Sequence, residues 1–170
     1  MGQAWLGIVI SLGVSLVSAP VQAESESQLK AAFIYNFTKY VLWPSDVEQA
    51  GGDLRLCVFG SKPNEALAGI QGRPVRAFHI DVQHIRSEKQ LPACHIVFFN
   101  DKFDPKLLDA GYQTPMLSIS DQRNFVEQGG VIELYQQNRR IRFDVNLKQA
   151  KDTNIQISAK LLQLAGKVVK

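Results

Sequence analysis

At 170 residues the chain has room for one domain with one core. Hydrophobic residues make up 45% and charged residues 21%, which excludes an intrinsically disordered chain. The formal net charge of +3, carried by dispersed Lys and Arg, is too weak a field for phosphate-backbone binding, which excludes nucleic acid as a partner.

The first 23 residues contain no Asp, Glu, Lys or Arg, and Leu6 to Val17 is an apolar run broken only by Gly and Ser. That run is shorter than the roughly 20 residues a membrane span needs, and it suits the apolar region of a secretory signal peptide. Val21-Gln22-Ala23 places small residues at the two positions a signal peptidase reads, so cleavage is expected after Ala23. The segment before the apolar run, Met1 to Trp5, has no basic side chain. The expected organisation is therefore a signal peptide over 1–23 and a single exported α/β domain over 24–170.

Residues 25–43 read as a helix, with Ser25 and Gln28 at capping-box spacing and Leu29, Ala32, Phe33, Phe37 and Tyr40 forming a buried stripe. Pro44 ends it at Trp43. A Gly51-Gly52-Asp53 turn leads to a strand over Leu54 to Gly60, and Pro63 to Ala68 is a short helix. Val75 to Val82 reads as a strand, Gln83 to Gln90 shows no period, and His95 to Asn100 is a central strand because its apolarity is nearly continuous. A short helix over Pro105 to Ala110 and a strand over Met116 to Ile119 follow, then a brief helix over Asn124 to Gln128.

From Val131 the pattern becomes a hairpin: Val131 to Tyr135, a polar turn at Gln137-Asn138, then Arg140 to Asn146. The second strand alternates, placing Ile141, Phe143, Val145 and Leu147 on the core face and Arg140, Arg142, Asp144 and Asn146 on the wet face. A last helix starts at an N-cap, Ser158, and buries Leu161, Leu164, Ala165 and Val168. Together these elements predict an α/β three-layer sandwich. It has a mostly parallel sheet of about six strands, an antiparallel C-terminal hairpin and helices on both faces.

The chain lacks a glycine-rich phosphate loop, a G-x-G-x-x-G turn, a G-x-S-x-G elbow and an H-E-x-x-H pair. No catalytic residue, cofactor or metal is assigned. His79, His84 and His95 have no compact ligand spacing with Cys57 and Cys94, and read as core or edge histidines. Asp101 and Asp104 read as charges at a helix N-terminus. Cys57 and Cys94 lie about three residues out of register on strands expected to be neighbours, and spacing leaves both a disulfide and two buried thiols open. The face with Arg140, Arg142, Asp144 and Asn146 reads either as an edge kept charged against aggregation or as a partner-binding surface. A small ligand bound beyond the strand ends, near Gly60 to Lys62 and Asn100 to Lys102, is the alternative.

Two segments carry a family resemblance. Leu29-Lys30-Ala31-Ala32-Phe33-Ile34-Tyr35-Asn36-Phe37-Thr38-Lys39-Tyr40-Val41-Leu42-Trp43-Pro44 resembles the first mature helix of the YfiR family of periplasmic regulators. Gly129-Gly130, Arg140 to Leu147 and Ile157 to Ala165 are similar in order and spacing to that family's C-terminal half. The resemblance implies a periplasmic protein that represses an inner-membrane diguanylate cyclase by binding its periplasmic portion, lowering cyclic di-GMP and biofilm formation. It also implies an outer-membrane lipoprotein able to sequester the regulator. It implies a disulfide between Cys57 and Cys94, the positions of the family's first cysteine pair. The family's second, C-terminal pair is absent here, so no redox control resting on it carries over. A homodimer is a further possible assembly.

Overall fold

Helix α1 (Glu26–Tyr40) begins where the capping box places it: the Gln28 amide donates to Ser25 Oγ, and the Ser25 amide donates to Gln28 Oε1. The computed structural model describes residues 25–101 and 104–170, so the expected signal peptide lies outside the described residues. Ala31, Ile34 and Phe37 are buried along α1, with Leu29, Phe33, Tyr35 and Tyr40 packed beside them. The helix ends at Tyr40 rather than at Trp43, because Val41–Leu42 (β1) pair antiparallel with Gln156–Ile157 (β9). Pro44 therefore does not stop α1; it precedes a second helix, α2 (Ser45–Ala50), that the turn-like sequence concealed.

The remaining elements follow in order. They are β2 (Gly52–Phe59), α3 (Glu65–Ala68), β3 (Pro74–Val75), β4 (Phe78–Ile85), a 3-10 helix (Glu88–Ala93) and β5 (Ile96–Phe99). Then come α4 (Lys106–Gly111), β6 (Leu117–Ser120), β7 (Ile132–Gln137), β8 (Arg140–Asn146), α5 (Leu147–Asp152), α6 (Ala159–Leu162) and β10 (Val168–Val169). The strand expected over Val75 to Val82 is two, because Arg76, at φ 50°, turns β3 back against β4. Asn124 to Gln128 forms turns instead of a helix. The last helix is one turn long: Leu164 is 61% exposed, and Val168 enters a strand.

The main sheet has eight strands in the order β10-β8-β7-β6-β5-β2-β4-β3. Its pairs are parallel except β3/β4 and the β7/β8 hairpin. This is the expected three-layer α/β sandwich, with two strands more than the period could show. β5, as expected, is central and buried throughout. One core joins α1, α3, α5 and α6 to one face of the sheet, through Phe37, Ile34, Leu56, Phe98 and Phe143 among others. The second lies on the opposite face, where Leu91 of the 3-10 helix and Leu108 of α4 cover Cys57, Val97 and Phe99.

Gly130 shows how tightly the second core is filled. A methyl group there would run into the Phe125 ring, which is fully buried and packs on Phe99 at 5.8 Å between centroids. Gly130→Ala is expected to cost about 1–3 kcal/mol, because the ring has no space to withdraw into. Urea unfolding measures this, and an unchanged midpoint would mean that Phe125 moves freely.

Candidate functional site

Sheet topology places a first site. From β2 the chain crosses to β4 on one side and then returns to β5 on the other. The carboxyl ends of β2 and β5 thus form a switch point, where open α/β sheets bind ligands. Gly60-Ser61 and Asn100-Asp101 meet there: the Asn100 amide donates to Phe59 O, and the Ser61 amide donates to the Asp101 carboxylate. That contact holds the Asp101 carboxyl below the usual carboxylate range. Asp101 therefore does not act as a helix N-terminal charge as expected, whereas Asp104 does, accepting from the Lys106 amide at 3.0 Å. Lys102, expected near this crevice, lies outside the described residues.

Beside the switch point lies a cleft of about 420 Å³. Its apolar floor is Ala31, Ile34, Leu67 and Phe98, and Asn64 and Asn100 line one wall, joined by a 3.2 Å hydrogen bond. On the opposite wall Lys30 Nζ sits 2.7 Å from both Glu26 Oε1 and Asp121 Oδ2. Burial by itself would lower the ammonium pKa, but the hydrogen bonds to Asp121 and Glu26 outweigh it, and the pKa rises above the ordinary 10.5. Lys30 therefore stabilises the fold below about pH 10.5, and that contribution is lost as pH rises through the higher folded value. Lys30→Met is expected to unfold more easily than wild type at neutral pH, with the difference shrinking above that point. A constant difference at all pH values would refute the ion-pair account. Sequence reasoning missed this cleft because its polar residues come from four separate segments with no local motif.

The second site is the wet face of the β7/β8 hairpin. Arg140 and Arg142 are exposed there, opposite Gln137 and Tyr135. Among the described residues neither arginine forms an ion pair. Asp144 is half-buried and accepts from the Tyr135 hydroxyl at 3.1 Å. Removal from water, and then the Asp144 carboxylate, raise the Tyr135 pKa. Gly166 passes so close that a methyl group on it would meet the Tyr135 hydroxyl. Asn146 does not belong to this face: it is 9% exposed, its Oδ1 caps α5 by accepting from the Gln149 amide, and its Nδ2 donates to Val126 O. The strand's alternation hid this, because the same residue ends β8 and caps the next helix.

Cys57 and Cys94 are joined by a disulfide. Among the described residues no group of His, Cys, Asp or Glu could hold a metal ion. His95 Nδ1 accepts from the Arg55 amide, His84 Nε2 donates to Gly60 O, and His79 is exposed on β4.

Residues 27–166 match a family model described as YfiR/HmsC-like. A solved structure, a conserved domain protein from Vibrio cholerae O1 biovar El Tor, is similar to this chain with a TM-score of 0.50 at 11% identity. The likeness covers 85% of this chain and 60% of that one, and it shows the fold alone. No curated protein matches the chain.

Proposed function

Because the chain belongs to the YfiR/HmsC-like family of periplasmic regulators, we propose that it represses an inner-membrane diguanylate cyclase by binding the cyclase's periplasmic portion. The output is a lower level of cyclic di-GMP and less biofilm. The observation that carries this reading is the extent of the family match, which takes in α1, the whole sheet up to β8, and the segment through Gly166. The partner-binding face is assigned to Arg140, Arg142 and Asp144, with Cys57–Cys94 as a structural bond. An outer-membrane lipoprotein that sequesters the regulator, and a homodimer, belong to the same proposal. Repression requires that the chain bind the inactive state of the cyclase more tightly than the active one.

Export supports the reading. The apolar segment from Leu6 to Val17 and the small residues of Val21-Gln22-Ala23 direct the chain out of the cytoplasm. N-terminal sequencing of the periplasmic protein is expected to begin at Glu24. The functional test is deletion of the gene in a strain that also carries a membrane diguanylate cyclase with a periplasmic domain. Cyclic di-GMP is expected to rise, and to fall again on complementation; an unchanged level would sink the proposal.

The cleft beside the switch point favours a second reading, a small-ligand-binding domain with an apolar floor and a rim formed by Lys30, Asn64 and Asn100. A ligand at about 100 times its dissociation constant adds roughly 2.7 kcal/mol of stability. A thermal-shift screen of metabolites with no response would remove this reading.

A further inference from the structure

The hairpin turn decides which main-chain groups of β8 face outward. Asn138 and Arg139, at φ 51° and 60°, form a two-residue turn, which makes Gln137 and Arg140 a mutually hydrogen-bonded pair. Arg140, Arg142 and Asp144 therefore direct their main-chain groups toward β7, and Ile141, Phe143 and Val145 direct theirs away from it. Beyond β8 the chain end takes up two of these outward groups: the Gly166 amide donates to Phe143 O at 2.8 Å, and the Val145 amide donates to Lys167 O at 2.9 Å. β10 pairs only with Val145 and Asn146. The amide and carbonyl of Ile141 and the amide of Phe143 remain without a main-chain partner among the described residues.

The side chains around this open edge describe what would fit it. Arg140 and Arg142 stand on its wet side without ion pairs among the described residues. Leu164 is 61% exposed and lies two residues before the Gly166 amide that bonds Phe143. A second copy paired edge to edge would bring the arginines of both strands together, and like charges side by side are destabilising. An acidic strand would meet the opposite condition. We propose that the β8 edge from Arg140 to Phe143 receives an extended segment of a partner protein as an added strand. Acidic side chains of that segment alternate beside Arg140 and Arg142, and an apolar residue between them faces Leu164. This rests on the regulator reading and specifies the chemistry of the segment it binds.

The test uses the mature protein and a short capped peptide of alternating Glu and Val, with a Lys-Val peptide as its counterpart. The Glu-Val peptide is expected to bind and to slow amide exchange at Ile141 and Phe143 about tenfold. Exchange at Arg140 and Arg142, already bonded to β7, stays unchanged. Arg140→Glu with Arg142→Glu is expected to weaken Glu-Val binding roughly tenfold and to favour the Lys-Val peptide instead. Absence of Glu-Val binding, binding without slowed exchange at Ile141 and Phe143, or equal binding of both peptides would each overturn the proposal. So would slowed exchange at those amides on concentrating the protein alone, which would assign the edge to a second copy. In cells the double variant is expected to raise cyclic di-GMP as the deletion does. If the deletion raises it and the folded double variant does not, the edge assignment falls and the regulator reading stands. If the deletion itself changes nothing, the regulator reading falls and the peptide experiment alone decides the edge.

Discussion

Replacing Cys57 and Cys94 together by alanine is expected to lower the unfolding free energy by about 3–4 kcal/mol, the chain-entropy value for a loop of this size. The bond spans 37 residues, and within that loop lie α3, β3, β4 and the 3-10 helix. The edge of the sheet beyond β2, strands β4 and β3, is thus closed into a ring whose ends are pinned in the second core. Both cysteines are buried, among Leu91, Val97, Phe99 and Phe125. Alanine is preferred to serine because a hydroxyl left there without a partner would add a desolvation cost of its own. The melting temperature is expected to fall by roughly 10 °C in a domain of this length. Exchange protection in β4 should fall more than in β6, since only β4 lies inside the ring. A double variant as stable as the wild type would show that the unfolded chain is already constrained without the bond.

The bond also marks the boundary of what the sequence reveals. β2 pairs Cys57 with Val97, so Cys94 lies three residues before the register partner of Cys57, the offset expected from the strand ends. An extended chain would carry three residues about 10 Å along the sheet, yet the two Cα atoms are 5.9 Å apart. The difference comes from the 3-10 helix, which lays Cys94 at its C-terminal end back over β2. That helix begins inside Gln83 to Gln90, which shows no hydrophobic period, and is too short to show one of its own, so the geometry of the bridge is closed to periodicity while the family resemblance reaches it.

The same rule separates the other elements. α1, β5 and the β7/β8 hairpin were legible because each has enough residues to show a cap, a continuous apolar run or an alternation. β1, β3, β9 and β10 have two residues each; nothing periodic fits into two residues. Those four strands set where the elements depart from the periodic pattern: β1 and β9 end α1 early, β3 splits an expected strand, and β10 turns the end of an expected helix into an edge strand. Leu164, expected in a buried stripe, is exposed for that reason. The cleft was illegible for another: Lys30, Asp121 and Asn100 meet only through the topology, and no window of sequence contains them together.

Phe143→Ala is expected to cost about 3–5 kcal/mol, while the neighbouring Arg142→Glu leaves stability nearly unchanged. The two residues are adjacent on β8, and strand geometry sends their side chains to opposite faces. Phe143 is 4% exposed, lies 4.9 Å from Phe37 in an edge-to-face arrangement, and packs on Phe33 at 6.3 Å. Truncation empties the space between α1 and the sheet, and the rigid helix and strand on either side cannot close together over it. Arg142 is exposed, has no ion pair to lose among the described residues, and its side chain contacts the hydroxyl of its cross-strand neighbour Tyr135. Reversing its charge acts on whatever approaches the open edge, so its effect should appear in partner binding and in cyclic di-GMP, with urea unfolding close to wild type. Phe143→Ala should instead shift the unfolding midpoint strongly and reduce function only through the folded fraction. Stabilising that variant, by lowering the temperature of the assay, should therefore restore its binding, whereas no such rescue is expected for Arg142→Glu. Equal unfolding shifts for the two variants would overturn the assignment of Phe143 to the core face and Arg142 to the wet face, and would remove Arg142 from the binding surface.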